Sequence, residues 1–172
     1  MRANAERRSS DEVFEGERAM TEYVRDGSAL IAIIIRSDFS APGVTFFTPD
    51  EFSQQLAYMS HPRDKVIAPH VHNAVPRNVT YTREVLLLRK GRLRVDFYTE
   101  GRSYLGSRIL LAGDVILLAA GGHGFKVLDP VEMIEVKQGP YSGDGDKTRF
   151  ECIDDEDVRP CTVERRIDAP SE

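Results

Sequence analysis

Residues 83–100 read REVLLLRKGRLRVDFYTE, and the fold class turns on this stretch. In its second half Leu93, Val95 and Phe97 alternate with Arg94, Asp96 and Tyr98, the period of two that gives a strand one buried face. Working outward, similar short β-rich runs follow one another: ALIAIIIR (29–36), GVTFFT (43–48), QQLAYMSH (54–61), KVIAPHVH (65–72), SRILLAGD (107–114), DVILLAA (114–120), GFKVLD (124–129) and VEMIEVKQG (131–139). Helical periodicity is nearly absent. Turn formers stand between the runs, among them SAPG, HPRD, RKG, LAGD, LDP and SGDG, at the spacing of an all-β sandwich or jelly-roll barrel. DVILLAA lacks alternation, which predicts a strand covered on both faces.

The chain of 172 residues is the size of one domain. Its first twenty or so residues are charged and aperiodic, and beyond about Tyr141 it turns polar again through GDGDK and Asp154 to Asp157. The expected organisation is an N-terminal arm over 1–25, a β-barrel over 26–141 and a C-terminal arm or tail over 142–172. A formal charge of -5 creates no field that attracts polyanions, so no nucleic-acid partner is expected. The longest apolar runs, Ala29 to Ile35 and Val115 to Ala120, fall well short of the roughly 20 residues that cross a bilayer. With no apolar core in the opening twenty residues to suggest a secretory signal, a cytoplasmic location is expected. Cys152 and Cys161 match no redox or zinc-knuckle spacing and read as reduced thiols.

Chemistry is concentrated in a few positions. His70 and His72 occupy alternate places in a strand-like run, where side chains i and i+2 share a face about 6.6 Å apart; two imidazoles so placed can reach one ion. Glu84 opens an apolar strand, an unusual place for an acid, and offers an oxygen ligand beside them. His123 follows GDVILLAAGG, a turn, a buried strand and a tight glycine bend.

The order HxH, then Glu with glycine after a six-residue gap, then Gly113-Asp114, then a glycine-rich turn and His resembles the two motifs of the cupin superfamily over about Lys65 to Val127. The resemblance implies a double-stranded β-helix barrel holding one divalent metal ion, iron, manganese, zinc or nickel, on His70, His72, Glu84 and His123. The eleven residues between His72 and Glu84 then form an inserted loop at the mouth of the site.

Around it, Arg77, Asn78 and Tyr81 lie on that loop, and Arg77 offers a planar fork suited to carboxylate or phosphate. Arg77, Tyr81 and Tyr98 are the candidate catalytic groups. Glu135 and Lys137 read as exposed cross-strand charges, Phe125 as barrel filling, and Arg89, Lys90, Arg92 and Arg94 as a solvated hairpin end. The expected function is a metal-dependent isomerase, epimerase or lyase acting on a small oxygenated, sugar-like substrate. An iron-dependent dioxygenase is the alternative within enzymes, and a small-molecule-binding protein with a structural metal lies outside them. A homodimer is expected, with ALIAIIIR and GVTFFT as candidate exchange strands.

Overall fold

The computed structural model describes residues 19–140 and 143–165, so residues 1–18 of the expected arm and 166–172 of the expected tail lie outside the described residues. Among the described residues nine strands form: β1 (Thr21–Asp26), β2 (Ala29–Ile35), β3 (Gly43–Phe46), β4 (Ala57–Ser60), β5 (Glu84–Tyr98), β6 (Tyr104–Leu111), β7 (Val115–Leu118), β8 (Gly122–Lys137) and β9 (Val163–Arg165). β3 and β4 make a separate hairpin, and the other seven form one antiparallel sheet in the order β6-β5-β7-β2-β1-β9, with β8 on the far edge of β5. Among the described residues no helix is long and apolar enough to cross a bilayer.

Two long strands bend together, and the bend makes the sheet a half-barrel. β5 runs 15 residues and β8 runs 16; the turn signals RKG and LDP, which the sequence suggests as chain reversals, are instead corners within continuous strands. The β5–β8 register shifts between Leu88 and Leu93. At that corner Gly91 has φ +83 and a Cβ there would strike the Pro130 carbonyl, so only glycine allows the two backbones to approach. The β6–β7 corner is pinned to the same place: Gly113 N–H donates to the Leu88 carbonyl at 2.7 Å, and Leu88 N–H donates to the Asp114 carbonyl at 3.0 Å.

The curl separates two apolar clusters. Inside it lie Leu86, Leu88, Leu93, Val95, Phe97, Ile116 and Leu118; outside, Ile33, Ile35 and Leu117 pack with Tyr58 of β4 and with Phe47 and Phe52 of the loop that joins β3 to β4. β7 supplies alternate residues to each, which is why its sequence shows no polar face. β2 is likewise buried from Leu30 to Ile35 and is paired on both edges, by β1 and β7. It therefore has no free edge for the strand exchange expected of ALIAIIIR.

A buried ion network locks β1, β2 and the β6–β7 corner. Arg36 donates to Glu22 Oε1 at 2.6 Å and to Asp114 Oδ2 at 2.8 Å, while Ser37 N–H and Leu111 N–H also donate to Asp114. Arg108 donates to the second Glu22 oxygen at 2.9 Å.

Both ends of the chain depart from expectation. β1 begins inside the stretch read as an arm. The stretch read as a tail is part of the fold: Cys161 is buried, its N–H donates to the Ser107 carbonyl, and β9 pairs with β1. Polar composition misled because its charges are paired, Asp155 accepting from Arg94 at 2.9 Å and from Lys126. Arg94, expected at a solvated hairpin end, is 8% exposed and also grips Asp96 at 2.8 Å.

Replacing Asp114 by Ala leaves Arg36 short of a buried partner and two backbone donors without an acceptor. The expected loss is about 3–5 kcal/mol of unfolding free energy, measured by urea titration; a loss under about 1 kcal/mol would contradict this role.

Candidate functional site

In a straight strand Glu84 and Phe97 would stand about 43 Å apart at about 3.3 Å per residue. His123 is the cross-strand partner of Phe97, yet its Nε2 lies 3.2 Å from Glu84 Oε2. The corner at Gly91 and Pro130 is what brings the two ends of the ribbon together. Glu84 is buried with 7% exposure, whereas the His123 side chain keeps 30% and can be reached from solvent.

Lys137 is opposite Glu84 in the ladder, its Nζ 3.8 Å from Glu84 Oε1 and 3.6 Å from Glu135 Oε2. The hydrogen bond from His123, helped by the positive charges of Lys147 and Lys137, holds the Glu84 carboxyl below its ordinary value of 4.5 despite the opposing effect of burial. The Phe125 ring lies 5.3 Å from that of His123; at 41% exposure it does not fill the barrel as expected but stands on the open concave wall with Val127 and Met133. Among the described residues β8 pairs with β5 alone.

Of the four residues expected to share an ion, Glu84 and His123 meet and the other two stand elsewhere. The run KVIAPHVH is not a strand: no regular element lies between Ser60 and Glu84, and His70 and His72 are exposed there with ring centroids 5.2 Å apart. Pro69, inside that run, supplies no backbone donor for a ladder. Three imidazoles and a carboxylate suit a first-row divalent ion. As placed they form two separate pairs, and among the described residues no three His, Cys, Asp or Glu side chains gather to hold one.

The candidate catalytic groups are also dispersed. Arg77 donates to the Val75 carbonyl of its own loop at 3.4 Å, and Tyr81 is 61% exposed on the same loop. Tyr98 is engaged with the C-terminal segment: its hydroxyl accepts from Ile153 N–H at 3.0 Å, its ring meets Phe150, and burial pushes its pKa up. The sequence marks Lys137 and Glu135 as no more than exposed cross-strand charges. Only the β5–β8 register, Glu84 opposite Lys137, reveals their place. A cavity of about 440 Å³ lined by Asp26, Ile31, Thr99, Glu100 and Ala120 among others contains none of these groups.

Comparison with family models, curated proteins and solved structures finds no match in any of the three.

Because the folded-state pKa of Glu84 is depressed, its stabilising contribution is fully present above the unfolded carboxylate range and is lost as pH falls through the folded value. The stability difference between the native chain and Glu84→Gln should therefore shrink as urea titrations move from pH 7 to pH 3. A difference that stays constant would show that Glu84 has no favoured ionised state.

Proposed function

We propose that the chain is an enzyme of isomerase or epimerase type on a cupin-like barrel, acting on a small oxygenated, sugar-like substrate by proton transfer at a carbon beside a carbonyl. The observation that carries this reading is the close approach of Glu84 Oε2 to His123 Nε2, 3.2 Å, on a concave, solvent-reachable wall. A carboxylate that accepts from Nε2–H holds the imidazole in one tautomer and leaves Nδ1 free as a base. His123 Nδ1 takes the proton as the substrate C–H bond breaks, and the electron pair moves onto the carbonyl oxygen. Lys137 supplies positive charge for that developing oxyanion. The His123 imidazolium exchanges its proton with solvent and delivers one to the neighbouring carbon on the same face while the hydroxyl proton passes between the two oxygens, which completes isomerisation; protonation of the opposite face by water, whose hydroxide takes the imidazolium proton, completes epimerisation. Phe125, Val127 and Met133 offer an apolar surface to the carbon skeleton.

A second reading, a metal-dependent enzyme with His70, His72, Glu84 and His123 as ligands, is favoured by the adjacency of the two loop imidazoles. It requires the segment between Ser60 and Glu84 to fold inward. An ion there would supply Lewis-acid chemistry, or dioxygen activation if it were iron. Calorimetric titration with manganese, zinc, nickel or ferrous ion tests it: binding lost in both His70→Ala and His123→Ala supports a shared site, and binding lost in neither opposes it.

The proton-transfer reading is tested by following deuterium uptake from D2O into a panel of hydroxy-aldehydes and hydroxy-ketones. His123→Ala should slow exchange about 10²–10⁴-fold, with Glu84→Gln slowing it less. Unchanged exchange in His123→Ala would remove the basis for the assignment.

A further inference from the structure

β8 is a 16-residue strand whose only ladder, among the described residues, is with β5. Its other edge is open, and such an edge normally carries a device that prevents association. The first half has one: Pro130 supplies no donor, and the register there is irregular. The second half, Val131 to Lys137, has neither proline nor bulge from Met133 onward. It also exposes Met133, Ile134 and Val136 at 41, 47 and 56%.

We infer that this edge is the contact between two copies of the chain, paired antiparallel about a two-fold axis at Val136. Symmetry restricts the choice. When the axis stands perpendicular to a continuous sheet, each residue faces one on the same side, and the axis passes through a residue or its ladder pair. Centring on Glu132, Glu135 or Lys137 stacks like charges. Centring on Met133 or Ile134 places Glu132 and Glu135 opposite apolar side chains. Centring on Val136 instead sets Glu135 of one copy opposite Lys137 of the other, twice, with Val136 facing Val136 and Ile134 facing Gln138. Charge complementarity therefore selects this register.

The consequence reaches the site without depending on the reaction assigned to it. Lys137, 3.8 Å from Glu84, gains a second acidic neighbour from the other copy, so the electrostatics around Glu84 and His123 belong to the dimer.

Light-scattering mass after gel filtration at about 50 μM should give a dimer for the native chain. Glu135→Lys, which opposes lysine to lysine, should give a monomer, and the double exchange Glu135→Lys with Lys137→Glu should restore the dimer. Val136→Asp should also dissociate it; circular dichroism of each variant checks that the sheet is retained. A monomeric native chain overturns the inference, as does a dimer that survives both Glu135→Lys and Val136→Asp. Protection from hydrogen exchange, in a monomer, of those alternate amides between Met133 and Lys137 that point away from β5 also overturns it, since another part of the same chain would then cover the edge.

Discussion

The architecture depends on one corner, where β5 and β8 fold over together at Gly91 and Pro130. A straight two-stranded ribbon would hold Glu84 and His123 at opposite ends; the corner brings their side chains to 3.2 Å. Gly91 is the residue that permits it, since any side chain there would enter the space of the Pro130 carbonyl. The β6–β7 corner reinforces the same point through Leu88, whose N–H and carbonyl both bond to it. The candidate site is thus a product of curvature.

Curvature must be held, and buried charge does much of that. Arg36 joins Glu22 on β1 to Asp114 at the β6–β7 corner, with all three side chains no more than 4% exposed. Such a network contributes less net stability than its distances suggest, because desolvation offsets the attraction, but losing one member leaves a charge stranded. A second network, Arg94 with Asp96 and Asp155, ties the C-terminal segment to β5. That segment then bridges β6 and β1, the two sides of the curl.

The sequence announces most of the strands. Alternation in RLRVDFY and the unbroken apolar run of DVILLAA correspond to a strand facing a core and a strand buried on both sides. What it does not announce is connectivity: RKG and LDP look like reversals because glycine and proline mark both reversals and corners, and only pairing partners distinguish them. Glu84 and His123 were legible as chemistry-bearing positions, one an acid opening an apolar strand and the other a histidine after a double glycine. Lys137 was not, because its significance lies in a cross-strand register. His70 and His72 show the converse, a spacing that implies a shared strand face on a segment that forms no strand.

A carboxylate fixed behind a partly exposed imidazole is an arrangement that sets tautomer and orientation, and the apolar wall beside it gives a substrate somewhere to rest. The most direct test is long-range ¹⁵N–¹H correlation of the His123 ring in the native chain and in Glu84→Ala. The account predicts a single Nε2–H tautomer in the native chain, lost when the carboxylate is removed. An imidazole that averages between tautomers equally in both proteins would contradict it.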